Sequence, residues 1–209
     1  MARKSYEEYK YLDPDNEYTY RDSAVLINKF TITDGDEAYE KEYRLARLRG
    51  LDLILTPIKV RKLDDVLKIH GFIFGDMYTW AGQLRKVNIS KEGNAFMPLQ
   101  SFDTGIEYID SLIADFHNRV NSRQEIAKSL AEILDNLNYM HPFREGNGRT
   151  QREVIRSLAL EKGYYADIDV ATDDEIYNLY MDGTVFGDVA KLTKLFDIIL
   201  EKTDFWEHR

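Results

Sequence analysis

The chain has no cysteine among its 209 residues, which removes disulfide frameworks and thiolate metal sites from consideration and suits a reducing compartment. Proline occurs only four times, and no Pro-, Gly- or Ser-rich stretch or internal repeat marks a linker or a solenoid. No apolar run reaches membrane-spanning length and no charged-apolar-small leader opens the chain, so a soluble, cytoplasmic protein without a membrane partner is expected. Basic residues are the minority, 28 against 37 acidic, for a formal net charge of −9 and a pI near 5.0. That balance disfavours direct binding to nucleic acid and leaves basic chemistry to a local cleft. What is present is 44% apolar and 12% aromatic, enough for one compact domain over residues 1–209 with a sizeable core.

Helical periodicity dominates. Leu63, Val66, Leu67, His70, Ile73, Phe74 and Met77 form one apolar stripe; Ile106, Ile109, Ile113, Phe116 and Val120 a second; Leu192, Leu195, Phe196 and Ile199 a third. Leu45, Leu48 and Leu51 point to a further helix ending before Pro57. His70 sits in an apolar stripe and reads as a satisfied core histidine. The exception is residues 84–98, where Leu84 to Ser90 alternate, Lys91 to Asn94 supply a turn and Ala95 to Pro98 return, a pattern that predicts a short β-hairpin. Its unpaired edge, with Val87, Asn88, Ile89 and Phe96, would dock an extended segment of another protein through main-chain hydrogen bonds. The tyrosine-rich start (Tyr6, Tyr9, Tyr11, Tyr18, Tyr20) predicts an arm over about residues 1–35 that packs on the body.

The chemistry concentrates in residues 141–152, His-Pro-Phe-Arg-Glu-Gly-Asn-Gly-Arg-Thr-Gln-Arg. Gly146 and Gly148 flank Asn147, and glycines let successive N–H groups turn toward one anion. Val154, Ile155, Leu158 and Ala159 predict a helix that starts at this loop and points its positive end at the same place. Arg149 and Arg152 stand about one turn apart near that end, where guanidinium forks would hold phosphates. Glu145 beside bound phosphates is the usual one-carboxylate arrangement for magnesium. His141, with an unperturbed pKa of roughly 6.5, is the plausible base. Ile126, Leu130, Ile133, Leu134, Leu137 and Met140 predict a buried helix that stops at Pro142, with His141 at its exit and Phe143 turned inward. A nucleotide triphosphate site is the natural reading.

The segment resembles the signature of the Fic family, His-x-Phe-x-(Asp/Glu)-Gly-Asn-Gly-Arg-x-x-Arg, with every specified position filled, and Trp80-Ala81-Gly82 before Arg85 is also similar to it. The resemblance implies an all-α, Fic-type helical bundle with a short β-hairpin flap (about 84–98) over a catalytic loop and helix (141–162). It implies protein adenylyl transfer from Mg2+-bound ATP to a Ser, Thr or Tyr hydroxyl of a target protein, with loss of pyrophosphate. His141 would be the base, Phe143 a core anchor and Glu145 the magnesium ligand. Gly146, Asn147 and Gly148 would bind the triphosphate, with Arg149 and Arg152 on its outer phosphates. Branches of the family use other donors or remove AMP; the Doc-like branch carries Lys where Gly148 stands here, and a non-catalytic nucleotide-binding regulator is a further alternative.

Many relatives are restrained by a helix bearing Ser/Thr-x-x-x-Glu-(Gly/Asn). Thr33 to Glu37, Ser157 to Glu161 and Thr203 to Glu207 have the spacing, but Ala38, Lys162 and His208 follow. Restraint by a separate small antitoxin is therefore expected, as in the toxin branch, whose targets include type II DNA topoisomerases.

Overall fold

Helix α4 (Arg123–Met140) runs through the middle of the protein, buried on nearly every side. Ser122 opens it with a reciprocal cap: its hydroxyl accepts from Glu125 N–H while the Glu125 carboxylate accepts from Ser122 N–H at 2.9 Å. Ile126, Leu130, Ile133, Leu134, Leu137 and Met140, the stripe read from the sequence, are all at most 1% exposed. Each such side chain contributes roughly 1.5–3 kcal/mol by leaving water, so this helix is the anchor for everything packed on it. The computed structural model describes residues 10–11, 17–91 and 94–205.

Around α4 pack α3 (Phe102–Arg119), α5 (Asn147–Glu161), α6 (Asp174–Phe186) and α7 (Val189–Ile199), while α2 (Leu63–Phe74) lies on α5, and α1 (Gly35–Leu55) on α2. The residues described are thus arranged as a helical bundle, 60% helical with seven helices and small antiparallel strand pairs at its edges. The stripes expected on α2, α3 and α7 face the core, and the helix predicted before Pro57 is α1.

α1 buries a side that excludes two of the leucines that revealed it. Leu48 and Leu51 are 61% and 52% exposed, and the inward face carries Ala38, Glu42, Ala46 and Leu53. Small alanines let α1 approach α2 closely, so its leucines are left outside. Periodicity located the helix; its inward face is interrupted by a buried carboxylate, Glu42.

The hairpin exists but is shorter than expected. Strands β2 (Ile89–Lys91) and β3 (Asn94–Ala95) pair antiparallel, and β1 (Lys10–Tyr11) pairs with the other edge of β2, giving the order β1-β2-β3. The edge of β2 expected to be open is therefore taken by the N-terminal arm. Residues 84–88 do not form strand; Arg85 is turned inward in phase with Val87 and Ile89, and its guanidinium takes the carbonyl of Val87 that a ladder would use. The arm also packs through Tyr18, edge-on to Trp80 at 5.6 Å, with its hydroxyl accepting from Lys86 N–H at 2.9 Å. A second pair, β4 (Tyr164–Tyr165) with β5 (Glu201–Lys202), closes the C-terminal end. Tyr6 and Tyr9 of the arm, turn residues Glu92 and Gly93, and Glu207 lie outside the described residues.

Candidate active site

The loop between α4 and α5 begins with a backbone reversal at a residue that resists it. His141 is the C-cap of α4 with φ 45° and ψ 63°, left-handed for a residue with a side chain, a conformation that costs of order 1–3 kcal/mol. Two hydrogen bonds hold it there: His141 N–H donates to Leu137 O at 3.0 Å, and its carbonyl accepts from Arg85 Nε at 2.8 Å. The Nδ1 of the ring lies 3.2 Å from Asn138 O. A carbonyl partner requires the proton on Nδ1, which leaves Nε2 as the basic nitrogen.

Arg85 is the clamp of the whole region. Buried at 3% exposure, it donates to the carbonyls of His141, Met140, Val87 and Met97, and its own N–H donates to Pro142 O at 2.8 Å. Burial lowers its pKa to about 10, which still leaves it charged at neutral pH. One guanidinium thus fixes the exit of α4 to both arms of the flap. The flap in turn lays Phe96 on the His141 ring, with centroids 3.9 Å apart and planes at 22°. Of the other flap candidates, Asn88 is exposed and accepts from Leu99 N–H, and Val87 is half-buried. Ile89 is turned into the body, with its main chain paired to Tyr11 on one side and Phe96 on the other, so it offers a target nothing.

The phosphate-cradle candidates divide into three behaviours. Gly146 caps α5 with φ 80°, and a Cβ there would meet Phe74 Cε2 at 2.4 Å, so only glycine fits on both counts. Gly148 does not have the positive φ expected of it; it lies inside α5, and a Cβ there would meet nothing nearer than Arg152 Nη1 at 3.4 Å, so neither backbone nor packing requires glycine at this position. Asn147 departs further from expectation. Its side chain is buried, accepting from Phe143 N–H at 3.0 Å and donating to Phe143 O at 2.7 Å. It shapes the loop, and only its backbone is left to meet an anion.

Phe143 anchors the loop as expected, stacked on His70 at 3.7 Å. His70 accepts from Gly82 N–H at Nδ1 (2.8 Å), so Nε2 carries the proton and donates to Glu145 O at 3.0 Å. Burial lowers its pKa to about 4, keeping it neutral, as a core histidine should be. Glu145 is half-buried, with Oε1 accepting from Gly146 N–H at 2.8 Å and lying 3.8 Å from Arg149.

The two arginines are held by different elements. Arg149 lies over the Phe74 ring at 4.5 Å with Nη2 2.6 Å from Glu42, whereas Arg152 lies over Tyr180 on α6 at 5.7 Å. Both line a cavity of about 360 Å³ whose far wall is α1, through Tyr43, Arg47 and Ile54. Arg156 is paired with Glu153 and donates to Leu53 O, so the arginine row stops at Arg152. Of the candidate restraining pairs, Glu37 is exposed in the first turn of α1, while Ser157 donates to Ile58 O and Glu161 pairs with Arg61.

Sequence reasoning missed Glu42, Tyr78 and Arg85. Arg85 was masked by the alternating pattern around it. Glu42 carried one signal, its four-residue spacing from Ala38 and Ala46 on the face that proved to be inward.

The Fic/DOC family model matches residues 60–159. The chain is 36% identical over 162 residues to protein adenylyltransferase VbhT of Bartonella schoenbuchensis, an alignment covering 77% of this chain and 34% of VbhT. It is 31% identical to a probable protein adenylyltransferase Fic of Salmonella typhimurium, over 70% of this chain and 74% of that protein. Among solved structures, the N-terminal Fic domain of a Bartonella quintana VirB-translocated effector with bound ADP superposes with a TM-score of 0.77 at 24% identity, covering 92% of this chain and 98% of that one. The chain belongs to the Fic/DOC family. It spans about a third of the length of VbhT.

Proposed function

We propose that the protein is a protein adenylyltransferase, a single domain over residues 1–209 that moves AMP from ATP to a hydroxyl of a target protein. The observation that carries this is the union of the left-handed exit at His141 with the Gly146 turn that opens α5 beside Arg149 and Arg152. A base and an anion site then share one short loop. The curated relatives named protein adenylyltransferase and the ADP-bound Fic domain support the same reading.

The target hydroxyl attacks the α-phosphorus of ATP. A new O–P bond forms, the bond from the α-phosphorus to the bridging oxygen breaks, and pyrophosphate leaves with the electron pair. His141 Nε2 takes the hydroxyl proton while Nδ1–H stays on Asn138 O. Backbone N–H groups from Gly146 to Gly148 at the start of α5 bind phosphate oxygens, that of Gly146 once the Glu145 side chain turns from it, and Arg149 and Arg152 neutralise the outer phosphates. The half-buried Glu145 carboxylate beside the loop is a hard oxygen donor suited to Mg2+, which when bound with the nucleotide offsets charge on the leaving group.

Restraint is by a separate antitoxin. The cavity beside Arg152, walled by Tyr43, Arg47 and Ile54, would admit a carboxylate side chain presented by a partner, which would compete for that arginine. The target docks on the flap near Asn88 and Phe96, and a type II DNA topoisomerase is the first candidate to try. Incubation with lysate and ATP labelled at either the α- or the γ-phosphorus tests the reaction: protein labelling from α-label alone is expected, and labelling from γ-label would replace adenylyl transfer with phosphoryl transfer.

A further inference from the structure

Arg149 is tied to a residue outside the signature. Its Nη2 lies 2.6 Å from Glu42 Oε1, and the Glu42 side chain is only 8% exposed. The other carboxylate oxygen accepts from the Tyr78 hydroxyl. Burial and the neighbouring Glu42 charge raise the Tyr78 pKa, so the phenol remains a donor. Tyr78 is itself fixed, stacked on Trp80 at 4.5 Å with planes 18° apart. On its face Arg149 rests over Phe74, and its nearest other carboxylate is Glu145, 3.8 Å away.

These contacts set two opposite expectations. As a charge, Glu42 weakens the pull of Arg149 on phosphates, and its removal would tighten nucleotide binding. As a support, it holds a long side chain that otherwise loses rotamer entropy on binding, and it keeps that side chain from closing onto Glu145. Burial decides between them: Glu42 is enclosed and held by Tyr78, so it cannot follow Arg149 into the site, whereas Arg149 has one end anchored and a guanidinium facing the cavity.

We propose that Glu42, braced by Tyr78, is a positioning residue that presents Arg149 to the outer phosphates of the nucleotide and holds it off Glu145. The proposal rests on the nucleotide-site reading above. Calorimetry with Mg2+-AMPPNP and, separately, AMP tests it on the wild-type chain, E42Q and Y78F. E42Q is expected to weaken Mg2+-AMPPNP at least tenfold while AMP changes less than twofold, because AMP has no outer phosphates for Arg149 to reach. Y78F keeps the ring stack and is expected to give a smaller loss, about threefold, with the same selectivity; it decides the matter if E42Q does not fold. Unchanged or tighter Mg2+-AMPPNP binding, or a parallel loss of both ligands, overturns the proposal. Wild-type protein that takes up no Mg2+-AMPPNP overturns the nucleotide reading first and this proposal with it, a result distinct from a normal wild type and an indifferent E42Q.

Discussion

The loop from His141 to Gly148 and the flap above it are built in opposite ways. The loop is locked by buried groups from two helices, α2 and α5: Phe143 stacked on His70, Asn147 closed on Phe143, and the Glu145 carbonyl held by His70. The flap has strands of two and three residues, with Asn88 exposed and Phe96 half-buried, and is tied to the exit of α4 by the Arg85 guanidinium, by Met97 N–H on Tyr139 O and by the Phe96–His141 stack. A phosphate is the same in every ATP, so its site gains from being rigid before binding. A protein target is a longer and more variable ligand, and a short hairpin held at its base, with Asn88 exposed, leaves room for it.

Four predictions separate the two regions. The largest effect belongs to the loop: His141→Ala should lower AMP transfer by about 10²–10⁴-fold with little change in Mg2+-AMPPNP affinity by calorimetry, and a variant that still labels target at half the normal rate would remove His141 as the base. Next is the joint between the regions. Arg85→Met strips donors from four carbonyls and should cost roughly 2–5 kcal/mol of stability in denaturant titration; a loss under about 0.5 kcal/mol would mean that water replaces the clamp.

The third concerns pH. His70 is neutral in the fold with its pKa lowered to about 4, while in the unfolded chain it protonates near 6.5, so the unfolded state binds more protons between these values. Its stabilising contribution is complete above about pH 6.5 and is lost as pH falls toward 4, by up to about 1.4 kcal/mol per unit. Unfolding free energies at pH 7 and pH 5 should show that slope, and a His70→Asn variant, less stable at pH 7, should lack that part of it. The smallest effect belongs to the flap: Phe96→Ala should change stability by less than about 1 kcal/mol yet reduce target labelling several-fold at unchanged nucleotide affinity. Equal losses of labelling and nucleotide binding would join flap and loop into one unit.

The loop was also the more legible region. Its residues have special backbone or charge roles that few alternatives satisfy, so their types declare them, and the helices on either side follow from apolar periodicity. Asn147 and Gly148 show the limit of that legibility: residue type marked both positions as important but not whether each faces an anion or supports the loop. Glu42 and Arg85 were unreadable for a different reason. Each is a charged residue buried by a partner distant in sequence, Arg149 for one and the carbonyls of Met140 and His141 for the other, and local pattern assigns such residues to the surface.

A crystal structure with Mg2+-AMPPNP tests the central claim, that the loop is a phosphate cradle built before the nucleotide arrives. The account predicts phosphates on the backbone of Gly146 to Gly148 and on Arg149, metal on Glu145, and the Phe143–His70 stack and Asn147 hydrogen bonds unchanged. Phosphates seated away from the start of α5, or a loop that must rearrange to receive them, would contradict it.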